Sequence, residues 1–265
     1  MLCRIPEWTI RAPQSPIPRE VVKVGGLPLG WPVDRGWPLC AECGLPMSFL
    51  LQAGESAQLP HTPAGQVMFV FKCERYSICS FWEPATGRNR VELVGFGELG
   101  DMAVAAPEGT PVLLELWALR WRVHDDGVDA SLEPAFFDAR HAALPESIAY
   151  PHDFDFTLQT KVGGLPYWTV NGTEAFRYSG GTVLTEGGDW HLVLQLDTAL
   201  KVVDPIDAVQ AYADSHPVGP AREGAAEVYP EDGSVGIANF CLDGTGYVLV
   251  DESSQSPEPV FLISR

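Results

Sequence analysis

The sequence predicts a sheet-dominated α+β protein, mainly antiparallel β, built as a tandem duplication of one β-rich unit. Three observations carry that prediction. The 265 residues include 26 Gly, 23 Pro and 8 Trp, a composition of many turns and short strands rather than of a helical bundle. Helix signals are few. The six letters KVGGLP occur at Lys23–Pro28 and return at Lys161–Pro166, a coincidence of two glycines and a proline that is improbable in a chain of this length. With 46% apolar residues the chain can bury a core of its own.

The elements follow in chain order. MLCRIPEWTIRAP at the start has no apolar run of leader length, and no later segment approaches the roughly 18 apolar residues of a membrane span. The expectation is a cytoplasmic protein whose cysteines are thiols or metal ligands. KVGGLP opens each unit, its glycines permitting positive φ and close backbone packing before the proline fixes the turn. A phosphate-binding role is disfavoured, because no helix follows the Gly pair. FLLQ (Phe49–Gln52) and LVLQ (Leu192–Gln195) read as matching buried strands. GQVMFVFKC (Gly65–Cys73) aligns with GSVGIANFC (Gly233–Cys241), sharing Gly, Val and Cys. GFGELG (Gly95–Gly100) fits a dinucleotide pattern, but Pro107, Gly109 and Pro111 follow instead of a helix, so it reads as a glycine-rich turn. Thr110–His124 reads as strand, and Pro134–Ala143 as a weak helix candidate. HDFDF (His152–Phe156) reads as a solvated edge. The clearest helix is Asp204–His216, with Asp204 as cap, Pro205 in the first turn, and Ile206, Val209 and Ala213 on one face. GYVLVDE (Gly246–Glu252) ends a hairpin, and VFLIS can add a last strand after the loop at 251–259. The division is 1–150, a first repeat with a β-rich extension, and 151–265, a second and more acidic repeat.

The chemistry concentrates at CAECGLPM, Cys40–Met47. Two cysteines two residues apart with Gly44 directly after them have the form of a zinc knuckle, which turns sharply and aims backbone N–H groups at the sulfurs. A tetrahedral shell needs two more ligands, and Cys73 and Cys79 are the remaining pair in that half, with His61 in reserve. Four thiolates leave no open position, so the zinc expected on Cys40, Cys43, Cys73 and Cys79 is structural. Buried cysteines without metal are the alternative. Cys241 has no knuckle beside it and reads as a core residue. Walker loops, G-x-S-x-G elbows and H-E-x-x-H motifs are absent from the sequence.

The net charge is −18, with −6 on residues 1–150 and −12 on residues 151–265. No basic stripe is visible, which argues against nucleic acid, and the field favours fast, salt-sensitive association with a basic protein. Glu186, Asp189, Glu223, Glu227, Glu231 and Asp232 fall in the long insertions of the second half, where Trp190 and Tyr229 can serve as apolar anchors. The expected partner surface is therefore 171–190 with 217–235.

The paired KVGGLP segments, CAECGLPMSFLLQ with GQVMFVFKC, and KVGGLPYW followed by LVLQLD and GSVGIANF together resemble the YwqG-like family, whose domain is related to that of the programmed-cell-death-two proteins. The resemblance covers 21–79 and 159–251 and leaves 80–150 without a counterpart. It implies that the Gly-Gly-x-Pro-x-Trp and Leu-x-Gln segments are shared scaffold, and that the four cysteines bind zinc as in the cysteine-bearing members. The first copy reads GGLPLGW, displacing Trp31 by one residue relative to Trp168, so the two tryptophans are not expected to fill equivalent pockets. Functionally it implies a non-enzymatic protein that holds a partner on a rigid β-rich body; the acidic field makes that partner a basic protein, and a monomer is expected. An immunity protein against a toxin leads, a chaperone of a basic ribosomal protein is the alternative, and an undetected hydrolase comes third.

Overall fold

The computed structural model describes residues 1–75, 79–149, 160–168, 188–216, 227–240, 244–254 and 258–264. The HDFDF segment, Glu186, Glu223 and Cys241 lie outside them. The strands are β1 (Leu2–Thr9), β2 (Val22–Val24), β3 (Ser48–Ala53), β4 (Gln66–Lys72), β5 (Asn89–Gly95), β6 (Leu116–Asp125), β7 (Lys161–Gly163), β8 (Trp190–Asp197), β9 (Ala199–Lys201), β10 (Val228–Tyr229), β11 (Ser234–Gly236), β12 (Thr245–Asp251) and β13 (Val260–Ser264). One ten-stranded sheet has the order β13-β12-β8-β7-β1-β6-β2-β3-β4-β5, and β10-β11-β9 form a second, small sheet. Every ladder in both is antiparallel. The outermost strands β13 and β5 meet, and the Ile263 N–H donates to the Trp82 carbonyl at 3.1 Å, so the sheet rolls nearly into a barrel. The mainly antiparallel β prediction holds. VFLIS does add a last strand, and Gly95–Gly100 forms only a 3-10 turn at Phe96–Glu98.

The sheet has a centre, the β1–β6 pair, and the strands on either side of it are arranged alike. From β6 outward run β2, β3, β4 and β5; from β1 outward run β7, β8, β12 and β13. Lys23 stands opposite Gln52 in one half and Lys161 opposite Gln195 in the other. The glutamines, both fully buried, make the same hydrogen bond in their two halves. Gln52 Oε1 accepts from the Leu29 N–H at 3.0 Å and Gln195 Oε1 from the Tyr167 N–H at 2.8 Å. Leu29 and Tyr167 each follow the proline of KVGGLP. Both glutamine-bearing strands carry a register shift two residues earlier, at Leu50 and at Val193, where a bulge leaves one residue unpaired.

The repeated letters have a steric cause. Gly25, Gly26, Gly163 and Gly164 all have φ between 62° and 73°. Each half also buries its lysine against a carboxylate, Lys23 on Glu115 and Lys161 on Asp126 at 3.3 Å. A Cβ on Gly26 would lie 2.2 Å from Glu115 Oε1, and one on Gly164 would lie 2.6 Å from Asp126 Oδ2. The second glycine therefore makes room for the carboxylate that neutralises the first residue of the motif.

Four expectations are corrected. Gly233–Cys241 does not take the place of Gly65–Cys73. Its Ser234–Gly236 portion is β11 of the small sheet, while Phe69 of β4 and Tyr247 of β12 are the residues opposite the two glutamines. The displaced tryptophan nonetheless finds the matching place: Trp31 packs on Phe69 at 5.2 Å between ring centroids and Trp168 on Tyr247 at 4.5 Å. Gly30, at φ 81°, absorbs the extra residue where a Cβ would strike Pro18 at 2.6 Å. The expected helix exists as α1 (Ile206–Ser215), but Asp204 does not cap it. Its carboxylate instead accepts from Thr9 Oγ1 at 2.6 Å and the Ile10 N–H at 3.0 Å, tying the helix start to the end of β1. Pro134–Ala143 forms 3-10 turns within Ala130–Phe137 and Ala139–Ala143 instead of an α-helix.

Candidate metal centre

The segment leading into β3 forms a tight turn closed by a bridge between Leu39 and Pro46. Within it the Cys40 N–H donates to the Leu45 carbonyl at 2.9 Å and the Gly44 N–H to the Cys40 carbonyl at 2.8 Å. Gly44 sits at φ 69°, the left-handed conformation that such a turn requires and glycine supplies without a Cβ penalty. Trp37 Nε1 donates to the Met47 carbonyl at 2.8 Å and holds the outgoing limb against the core. Cys73 directly follows β4, its N–H bonded to the Arg88 carbonyl at 3.0 Å. Cys79 returns from the far side of residues 76–78 with its N–H on the Arg75 carbonyl at 3.0 Å. Asn89 secures the loop beyond it, donating to the Phe81 and Glu83 carbonyls at 2.8 and 3.0 Å. Arg88 adds an ion pair to Glu42 of the turn at 2.8 Å.

These pieces bring Cys40, Cys43, Cys73 and Cys79 together, all four sulfurs within 4.8 Å of one another. Cys40 and Cys79 lie 3.7 Å apart and Cys43 and Cys73 lie 3.9 Å apart. A disulfide needs about 2.05 Å. A zinc tetrathiolate with bonds of about 2.3 Å has tetrahedral edges of about 3.8 Å. The observed spacing is that of the second. Three of the sulfurs belong to buried residues and only Cys43 is partly exposed, so the site is sealed.

The electrostatics say why a cation belongs there. Burial pushes the Cys73 thiol up to about 12, against the Arg75 N–H directed at its sulfur. Cys79 is raised as well, by burial first and then by its three neighbours. Burial also works to raise Cys43, but the Leu45 N–H and the neighbouring thiols outweigh it and bring this thiol below its ordinary range. A bound cation removes the penalty of ionising the set, and the Leu45 and Arg75 N–H groups are placed to hydrogen-bond the ligating sulfurs, as donors around a thiolate-bound metal do. The four cysteines can therefore hold a metal in a closed shell, one that offers no position to a substrate.

Among the described residues, those expected to bind a partner are not brought together. Asp189 and Trp190 begin β8, whereas Glu227, Tyr229, Glu231 and Asp232 lie in and around the β10–β11 hairpin, which joins β9 beyond the other end of β8. Trp190 is only 7% exposed and packs in the interior, so it offers no anchor; its aromatic ring is needed for the core beside Leu192 and Leu249. His61, the reserve ligand, lies instead against His191, with ring centroids 4.0 Å apart. Sequence reasoning gave His191, Glu133 and Glu252 no role, and no local spacing signals them, because each comes from a different segment. Among the described residues no helix is long and apolar enough to cross a membrane. No family model matches the chain, and no curated protein or solved structure is detectably similar to it.

Proposed function

We propose that the chain is a tandem duplication of one β-rich unit of YwqG-like type, that zinc occupies the four-cysteine shell of the first copy, and that the protein is a non-enzymatic, acidic binder of a basic protein, an immunity-type inhibitor of a toxin. The duplication is supported by the matched lysine, glycine, glutamine and bulge positions on the two sides of β1–β6. The structural role of the metal is supported by its sealed, four-thiolate shell, which leaves no coordination site for chemistry.

The observation that carries the binding role is the hairpin at 227–234. Glu227, Glu231 and Asp232 are exposed there around a half-buried Tyr229. The Tyr229 phenol is held above its ordinary range by burial and then by the fields of these three carboxylates, which marks them as one concentrated negative patch. A rigid β scaffold presenting such a patch beside an aromatic ring suits a basic surface. Asp232 also caps the turn, accepting from the Ser234 N–H at 2.9 Å, so the informative variants spare it.

The test is copurification from the native host, followed by Glu227→Lys with Glu231→Lys in the captured complex. A basic toxin-like partner whose affinity falls at least about tenfold at low salt supports the reading. Capture of a ribosomal protein points to a chaperone, and turnover of a small molecule to an enzyme. Unchanged affinity moves the interface away from this hairpin.

A further inference from the structure

A second set of candidate metal-ligating side chains gathers around His61, in the β3–β4 connection, at the other end of β3 and β4 from the cysteines. Four segments converge. His61 comes from the β3–β4 connection, Glu133 from the 3-10 turn Ala130–Phe137, Asp189 and His191 from the start of β8, and Glu252 from the residue after β12. The ends of β8 and β12 are clamped to each other: the Glu252 N–H donates to the Asp189 carbonyl at 2.9 Å and the Asp189 N–H to Asp251 Oδ1 at 2.9 Å. Two triads result, His61–Glu133–His191 and Asp189–His191–Glu252, each with its ligand atoms within 4.8 Å of one another and sharing His191.

The distances suit a coordinated ion. His191 Nε2 is 3.4 Å from Asp189 Oδ1, the edge of a tetrahedron with bonds of about 2.1 Å to nitrogen and oxygen, and 3.9 Å from Glu252 Oε2. His191 Nδ1 is hydrogen-bonded to Glu133 Oε1 at 2.9 Å and His61 Nδ1 to Glu252 Oε1 at 2.7 Å, contacts that orient His191 and Glu252 as carboxylate and histidine partners of metal ligands do. The two imidazole planes are stacked and parallel within 8°, so their in-plane nitrogens do not converge on one centre and His61 supports the site instead of sharing the ion with His191. His61 is held at φ 56°, a conformation few non-glycine residues adopt. Three carboxylates against two imidazoles give the cluster an excess of negative charge. A cation balances it.

We propose that His191 Nε2, Asp189 and Glu252 bind a divalent transition-metal ion, with Glu133 and His61 orienting His191 and Glu252 through hydrogen bonds. The donor set is imidazole and carboxylate, which suits zinc, cobalt, nickel, iron or manganese and differs in kind from the soft, closed thiolate shell. It is also open. The Asp189 and Glu252 side chains are 63% and 45% exposed, so an ion held there is reachable by a small ligand. The same contacts without an ion are an ordinary ion-pair network, and the experiment separates the two.

The full-length protein, loaded with a single equivalent of zinc for the thiolate shell, is titrated with cobalt(II) and followed by absorption and metal analysis. The expected result is uptake of a second metal equivalent with a ligand-field spectrum that lacks thiolate-to-cobalt charge transfer. In His61→Ala with His191→Ala that uptake weakens at least about tenfold, while the first equivalent is kept and reports that the chain is folded. Asp189→Asn with Glu252→Gln, on the exposed rim, gives the same loss should the histidine pair prove necessary for folding. Wild-type protein that takes up no cobalt outside thiolate sites, or a second equivalent that survives both double variants, overturns the proposal. Zinc retained by the thiolate shell is counted separately by metal analysis, so failure of one site is not mistaken for failure of the other.

Discussion

The two sides of the sheet use one backbone plan and close it by different means. Beyond β3, the first side has a short connection to β4, and the ends of the surrounding loops converge on four cysteines. Beyond β8, the second side inserts β9, α1, β10 and β11 before β12, and these bury Val209, Ala213, Val235 and Phe240. Both sides bury apolar residues, among them Trp31, Phe49, Phe69, Phe71 and Phe81 on the first; the difference is that four cysteines able to hold a metal gather the first side's loops, where an apolar annex covers the second. The sides join next to the cysteines. Glu74, one residue past Cys73, is paired with Lys72 at 2.6 Å and accepts from the Asn239 N–H of the annex at 3.3 Å.

The buried lysines separate the two sides most strongly. Asp126 is fully buried beneath Lys161, whereas Glu115 keeps 28% of its side chain exposed beside Lys23. Lys161→Ala should cost about 3–5 kcal/mol, since it strands a buried carboxylate, and Lys23→Ala clearly less, both read from urea unfolding midpoints. Equal costs would mean that burial of the acid does not set the difference. Next come the glycines. Gly25→Ala would press its Cβ to 2.0 Å from the Leu114 carbonyl oxygen, while Gly36→Ala at the similar φ of 68° meets nothing within 4 Å. The first should lose about 3 kcal/mol and the second only the conformational cost of about 1 kcal/mol.

Asp197, two residues past Gln195, has Gly54 at the matching place in the first side. Burial raises its carboxyl from 3.8 to about 7, against N–H donors from Thr198 and Ala199. The folded state thus holds a proton that the unfolded chain has released, so this group's contribution is most favourable below pH 3.8 and declines as the pH climbs to about 7. Asp197→Asn should remove that slope and stabilise the protein above pH 7 by a few kcal/mol, measured as stability against pH. A variant with the wild-type slope would assign the titration elsewhere. The smallest effect is expected from Glu231→Lys alone, within about 0.5 kcal/mol on folding, because an exposed charge contributes to association and not to the core.

What the sequence made legible was whatever sterics or ligand geometry pins to particular letters. KVGGLP repeats because lysine, positive φ and the space above the second glycine are each required, and the glutamine repeats because it must reach the backbone N–H after the proline. The Cys-x-x-Cys-Gly turn is likewise local and readable. Strands β4 and β12 share only alternation and burial, which many letters satisfy, so QVMFVFK and TGYVLVD do not look alike, and a chance Gly, Val and Cys at 233–241 matched better. The tryptophan shift misled in the opposite direction, since one left-handed Gly30 restores the pocket. The histidine and carboxylate cluster was invisible because its five members come from four segments that only the rolled sheet brings together.

If a metal closes the first side where hydrophobic packing closes the second, equal lesions on the two sides must have different consequences for the metal. The direct experiment is the zinc content and thermal midpoint of purified protein before and after Cys43→Ser, with Val235→Ala as the matching lesion in the annex. Zinc is expected at the thiolate site in the wild type, its loss together with a drop in midpoint in Cys43→Ser, and full zinc retention in a destabilised Val235→Ala. A wild-type protein that lacks thiolate-bound zinc, and that loses no stability in Cys43→Ser, would contradict a metal-closed first side.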